Sequence, residues 1–205
     1  MGYTDKKDPF WLKAKQEGYR SRAAYKLMQI QRQYRLFRKG GTVVDLGCAP
    51  GGWLQVIAEA VGPAGRVVGV DLNDVEPLPF PNVQVIVGDI LREETAARIV
   101  ACLGGYADVV TSDMAPRLSG IRFRDHYLSC RLVSAGLELC RTVLRPGGVY
   151  LAKVFEGEGL KDLHAELREA FGEVKRIVPE ASKKGSSEVY LLARGFASRP
   201  RPGEG

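Results

Sequence analysis

From Gly41 onward the chain repeats one theme, a short run of β-branched and other apolar residues followed by a stretch with helical spacing. The runs are TVVDLG (42–47), RVVGVDL (66–72), VQVIVGD (83–89), ADVVTSD (107–113), GVYLAKVF (148–155) and EVYLLAR (188–194). A strand with one wet face alternates apolar and polar residues, whereas these runs are apolar nearly throughout. They therefore belong to a sheet covered on both faces. Strand–helix–strand repetition implies a doubly wound α/β domain with a mostly parallel sheet, whose ligand sites lie beyond the carboxyl ends of the strands. At 205 residues the chain suits one such domain.

The helices supply the covers. Between Asp125 and Leu144, the residues Leu128, Leu132, Ala135, Leu139 and Val143 recur at spacings of four and three, which predicts one apolar stripe. Arg145-Pro146-Gly147-Gly148 then ends the helix and turns the chain into the next strand. Ahead of the sheet, Ser21 is placed to cap a helix running to about Tyr34, with Ala24, Leu27 and Ile30 inward and Arg22, Lys26, Gln29 and Gln33 on another face. The expected organisation is a basic helical segment (1–40) that is part of the same domain, a core (41–196) and a flexible tail (197–205).

Charge is unevenly distributed. Residues 1–40 hold 11 Lys or Arg against Asp5, Asp8 and Glu17, a balance of +8, while the whole chain carries +6. The remainder is thus mildly acidic, and the basic segment reads either as a docking surface for a polyanion or as a solvated helix face. The four cysteines (Cys48, Cys102, Cys130, Cys140) lack the close pairing of a zinc site, and neither His126 nor His164 has a partner at ligand spacing. No metal is expected. With no apolar run long enough to span a bilayer and no signal-peptide core at the N-terminus, the expectation is a cytoplasmic protein that does not engage a membrane.

The suggestive chemistry falls at strand ends: Asp45-Leu46-Gly47-Cys48-Ala49-Pro50-Gly51-Gly52-Trp53, then Asp71, Asp89, Asp113 and Lys153. Glycines at the first turn let the backbone approach a ligand, and an acid after the second strand can accept from ribose hydroxyls. NAD and S-adenosylmethionine both offer a ribose. The dinucleotide fingerprint, however, needs a second glycine two positions after its first, and here Cys48 and Ala49 follow Gly47, with Pro50 before Gly51 and Gly52. S-adenosylmethionine has no pyrophosphate to cradle, and Asp89 is placed to accept from its adenine amine. Singly, each acid could equally be a helix cap; together at successive strand ends they favour a cofactor.

These and further motifs resemble the FtsJ/RrmJ family of ribose 2'-O-methyltransferases. The matching segments are GYRSRAAYKL (18–27), DLGCAPGGW (45–53), GVDL (69–72), GDI (88–90), TSDMAP (111–116), LAKVFEG (151–157) and SSEVYLLARGF (186–196), in order along nearly the whole chain. The glycine-rich motif alone indicates only a methyltransferase; GYRSRAAYKL with SDMAP and LAKVFEG is far more specific. The resemblance implies a Rossmann-like methyltransferase sheet of about seven strands with the last antiparallel, S-adenosylmethionine as cofactor, and a catalytic tetrad matched by Lys26, Asp113, Lys153 and Glu188. It also implies cofactor contacts at Gly51, Trp53, Asp71, Asp89 and Asp113. Cys48 stands where alanine is common, a small-for-small change.

The chemistry accounts for these residue types. A sulfonium methyl is already activated, so the protein has to hold a 2'-oxygen in line with it and assist loss of a weakly acidic proton. Lys153 can accept that proton when neutral or stabilise the developing oxyanion when charged. RNA phosphates would meet the basic segment, with Arg20, Arg22 and Arg32 bracketing the face that carries Lys26. The compact chain favours large-subunit ribosomal RNA, with the protein expected to act as a monomer, over a transfer RNA anticodon loop. A noncatalytic RNA-binding assembly factor is disfavoured by the complete tetrad, and an NAD-dependent oxidoreductase by the broken fingerprint.

Overall fold

The computed structural model describes residues 8–182 and 185–197. The tail expected from residue 197 lies outside them apart from Ala197, whose N–H donates to Ala170. Helices α1 (Pro9–Glu17) and α2 (Ala23–Tyr34) precede β1 (Thr42–Leu46), α3 (Gly52–Val61), β2 (Arg66–Asp71), β3 (Val83–Val87), α4 (Glu93–Leu103) and β4 (Ala107–Ser112). There follow α5 (Arg122–Val143), β5 (Leu144–Phe155), α6 (Leu160–Ala170), β6 (Phe171–Ile177) and β7 (Glu188–Phe196). The seven strands form one sheet in the order β3-β2-β1-β4-β5-β7-β6. Only β7 is antiparallel to its neighbours, as expected for the last strand.

Successive strand residues point to opposite faces, and each face buries its own core. On one side Val44, Leu46, Val68 and Val110 pack under α4, α5 and α6 through Ile99, Leu137 and Leu167. On the other, Val43, Val67, Val109 and Leu151 pack under α2 and α3 through Ala24, Leu27, Ile30, Leu54 and Ile57. Helix α2 thus packs on the sheet through Ala24, Leu27 and Ile30. Asp8 caps α1 by accepting from the Phe10 and Trp11 N–H groups, at 3.0 and 3.4 Å, ahead of Pro9 in the first turn.

Two local expectations are corrected, and one strand is added. Helix α2 starts at Ala23 with no side-chain cap; the Ser21 hydroxyl instead lies over Gly52, where an added Cβ would stand 2.3 Å from it. Along α5, Leu128, Leu132 and Ala135 are only half-buried, while Ser129, Val133, Gly136 and Cys140 face the sheet. That face accepts small and polar residues because Tyr150 from β5 rises into it. A Cβ on Gly136 would meet the Tyr150 hydroxyl at 2.1 Å, and Ser129 bonds to His126 and Phe155. Finally, β6 does not alternate: its buried residues Phe171, Val174 and Ile177 recur every third position. It is an edge strand that pairs with β7 alone.

Candidate active site

The β1–α3 turn is set by close approach. Gly47 has φ 73° and lies against the β4 exit, so a Cβ there would stand 2.7 Å from Met114 Cγ and 2.9 Å from its backbone nitrogen. Asp71, ending β2, steadies the turn by accepting from the Ala49 N–H at 2.9 Å, while its other oxygen accepts from the Asn73 backbone at 2.8 Å. Asp89 accepts from the Leu91 N–H at 3.0 Å. These elements enclose a cavity of about 290 Å³ lined by Gly47, Asp71, Asp89, Asp113, Met114 and Leu132, among others.

Beneath the turn Asp45 is 1% exposed, with one carboxyl oxygen accepting from the Thr111 hydroxyl at 2.7 Å and the other without a partner. Burial, reinforced by the Asp113 and Asp71 carboxylates and only partly offset by the Thr111 bond, pushes its pKa up to about 8. Three acids, Asp71, Asp89 and Asp113, thus line one cavity, with Asp45 buried beneath the turn. Such a site repels a pyrophosphate and favours a ligand with positive charge, such as a sulfonium and an amine. The residues present therefore fit S-adenosylmethionine. Asp71, Asp89 and Asp113 line the cavity, whereas Gly51 and Trp53 are not among its lining residues. Gly51 is the N-cap of α3 with φ 108°. The Trp53 indole donates to Ala23 at 2.9 Å and stacks on Tyr190 at 5.8 Å.

Lys26, Asp113, Lys153 and Glu188 converge from α2, the β4 exit, β5 and the start of β7. Lys26 Nζ donates to Glu188 at 2.7 Å, and Lys153 Nζ lies 3.1 Å from the Asp113 carboxylate and 4.0 Å from that of Glu188. Lys153 also donates to the Asp113 carbonyl at 2.6 Å. Both ammonium-bearing residues are only 7% exposed. Burial alone would raise the Glu188 pKa, but the Lys26 charge and hydrogen bond, helped by Lys153, outweigh it and hold the carboxyl below its ordinary range.

Tyr190 was missed by sequence reasoning. Its hydroxyl donates to the Asp113 carboxylate at 2.8 Å. Burial, then the Asp113 charge, raises the phenol pKa well above its ordinary value, so it remains a donor. A signal existed, since period-two geometry puts residue 190 on the face of Glu188. Thr111, two residues before Asp113, was missed likewise. His126 is internal: its ring bonds the Phe155 carbonyl at 2.7 Å and accepts from the Gly159 N–H at 3.0 Å, tying α5 to the β5 exit.

The three arginines expected at RNA differ in placement. Arg20 donates to the carbonyls of Pro50, Glu76 and Pro77 at 3.2, 2.6 and 2.7 Å. Arg22 pairs with Asp8 and donates to Ala181 at 2.7 Å. Both are spent on internal acceptors near the site, and only Arg32 of the three is exposed. Among the described residues no cluster of three or more potential ligands could hold a metal, and no helix is long and apolar enough to cross a membrane.

Strand order 3-2-1-4-5-7-6, a reversed seventh strand and an acid-lined cavity at the β1 turn define an S-adenosylmethionine-dependent methyltransferase. The FtsJ-like methyltransferase family matches residues 19–196, and the chain belongs to it. It is 50% identical over 201 residues to ribosomal RNA large subunit methyltransferase E of Methanothrix thermoacetophila, covering 98% of this chain and 77% of that one. A solved ribosomal RNA methyltransferase of Plasmodium falciparum superposes with a TM-score of 0.78 at 29% identity, covering 88% of this chain and all of that one. Fibrillarin of Aeropyrum pernix, solved with bound S-adenosylmethionine, shares the fold, with a TM-score of 0.59 at 19% identity over 85% of this chain and 75% of its own.

Proposed function

We propose that this enzyme methylates a ribose 2'-hydroxyl of large-subunit ribosomal RNA, most simply on a uridine, acting as a cytoplasmic monomer on RNA within the large subunit. The observation that carries the reading is the position of Asp113. Its carboxylate lines the cofactor cavity and also holds Lys153, so a hydroxyl placed at Lys153 Nζ is beside the methyl donor's site. Asp71 would hold the ribose and Asp89 the adenine, with the Gly52 and Trp53 N–H groups in the first turn of α3 meeting an anionic group. When bound, S-adenosylmethionine supplies the activated methyl carbon.

The chain's residues do the rest. Lys153 orients the 2'-oxygen and either takes its proton or stabilises the charge it develops. Glu188, itself held by Lys26, and Asp113 fix the Lys153 Nζ from two sides. Because Lys26 comes from α2, we place residues 1–40 in the same domain as the 41–196 core, and assign Arg32 to RNA phosphates. The test is incubation with labelled S-adenosylmethionine and large subunits, free large-subunit RNA or tRNA, followed by mapping of the methylated nucleotide. Label confined to a 2'-O position of large-subunit RNA is expected; label only in tRNA, or on a base, overturns the reading.

A further inference from the structure

Residues 114–131, MAPRLSGIRFRDHYLSCR, carry Arg117, Arg122, Arg124 and Arg131 and a single acid, Asp125. All four arginines are exposed, and none makes a hydrogen bond or ion pair among the described residues. Asp125 is buried, and its carboxylate accepts from the Ser119 N–H at 2.8 Å, the Ser119 hydroxyl at 2.7 Å and the Gly120 N–H at 3.2 Å. The outward charge of this stretch is therefore purely positive. The earlier charge balance hid it, because a basic patch can sit inside a region whose sum is negative.

The same stretch exposes large apolar side chains. Leu118 is 66% exposed, Ile121 60%, Phe123 72% and Tyr127 56%. Phe123 and Tyr127 stand four residues apart on α5 and so share a face. They are held in place. Asp125 pins the loop to the first turn of α5, and a bond from the His126 ring to the Phe155 carbonyl, with one from the Gly159 N–H to the same ring, fixes that turn against the β5 exit. The loop begins at Asp113, and Met114 and Ala115 still line the cofactor cavity. The loop that leads to the patch thus starts at the reaction centre, and α5 lies on the face of the sheet opposite α2. Phe123 and Tyr127 also line a groove against α6 in which Arg131 stands with Asp162 and Glu166.

We propose that Phe123 and Tyr127, with Arg117, Arg122 and Arg124, form a second RNA-docking surface that takes unpaired nucleotides flanking the methylated one. Aromatic rings offer stacking platforms for splayed bases, and unpartnered guanidinium groups among them meet the phosphates. A duplex, whose bases are already stacked, gains only the arginine contacts. This rests on the RNA-methylating reading above, but the binding it describes can be measured apart from methylation.

The experiment measures filter binding of single-stranded oligouridylate, a duplex RNA of equal length, free large-subunit RNA and intact large subunits to the wild type, Phe123→Ala/Tyr127→Ala and Arg122→Gln/Arg124→Gln, across a salt series. Losing the stacking should weaken single-strand binding at least about fivefold while sparing the duplex. The arginine pair should lower the slope of log affinity against log salt by about 1.4. In methyl transfer the aromatic variant should raise KM for RNA, with saturating kcat and S-adenosylmethionine affinity unchanged. Wild-type single-strand affinity in both variants overturns the proposal. So does a loss seen only with intact subunits and not with free RNA, which would assign the patch to a ribosomal protein. A wild type that binds oligouridylate through this patch but methylates no large-subunit RNA instead overturns the functional reading alone.

Discussion

Two buried acids on the adjacent strands β1 and β4 respond to burial in opposite ways. Asp108, at the amino end of the sheet, accepts from Arg38 at 2.8 Å, Arg145 at 2.7 Å and the Thr42 N–H at 2.8 Å. Burial would raise its pKa, but these donors outweigh burial and hold it below its ordinary value. Asp45, at the carboxyl end, has one hydroxyl donor, an oxygen with no partner and two neighbouring carboxylates, and stands near 8. The amino end is satisfied by the chain itself. The carboxyl end is left under-compensated, and stored electrostatic imbalance of this kind is what a ligand can relieve. Substitutions at the two ends should therefore separate function from stability.

The largest effect belongs to the carboxyl end. Lys153→Ala should cut turnover by about 100- to 10,000-fold while S-adenosylmethionine affinity, RNA affinity and melting temperature stay near wild type. Single-turnover methylation with calorimetry on the same preparations checks this, and native-rate methylation by the variant would remove the tetrad from the mechanism. Lys153→Arg separates its two roles, because arginine keeps its charge and does not take up a proton as a base. Substantial activity in that variant favours charge stabilisation.

A pH test follows next in size. The folded chain keeps the Asp45 proton up to about pH 8, whereas an unfolded aspartate releases it near 3.8. Stability should therefore fall as pH rises between those values, by at most roughly 1.4 kcal/mol per pH unit. Asp45→Asn should flatten this dependence and gain stability at pH 8, as urea titrations at pH 5 and pH 8 would read out. An identical pH profile in the variant would mean that Asp45 is ionised in the fold.

Asp108→Ala tests the satisfied end and should be smaller. It strands the Thr42 N–H and costs about 1–3 kcal/mol, with the contributions of the half-exposed arginines discounted for screening. For Asp108 the sign reverses: the stabilisation is present above the unfolded carboxylate pKa and lost as pH falls through the depressed folded value. Methylation at saturating substrate should be unchanged, and a large loss of turnover without a stability change would break the comparison.

What the sequence revealed follows the same division. The cofactor turn is contiguous, so Gly47 to Trp53 and the acids ending successive strands could be read from position alone. Six strands were legible because a doubly covered strand must be apolar on both sides. β6 was not, since an edge strand with buried residues every third position mimics a helix. The partner of Lys26 lies 162 residues away, so the tetrad was reached through resemblance and not through spacing. Arginine charge was visible but its commitment was not. Arg20 and Arg22 read as free cations, yet backbone carbonyls and Asp8 absorb them. The Leu118–Tyr127 patch was not legible because the spacing of apolar residues does not show which of them another element covers, and Phe123 and Tyr127 are exposed only in the folded chain.

The smallest effect tests how finely the carboxyl end is tuned. Asp113 Oδ1 is shared between the Tyr190 hydroxyl at 2.8 Å and Lys153 Nζ at 3.1 Å, so the phenol helps set where the lysine's partner points. Tyr190→Phe removes that donor but keeps the ring that stacks on Trp53. The expected loss is about 1 kcal/mol, a three- to tenfold drop in kcat. KM for S-adenosylmethionine and RNA should hold, because the cavity walls and the docking surface are untouched. Such a kcat-only loss identifies Tyr190 as a positioning residue acting through Asp113, since a merely structural role would lower the melting temperature with little change in kcat. Should kcat remain at the wild-type level, Lys153 alone suffices to orient Asp113, and the shared oxygen is a packing coincidence.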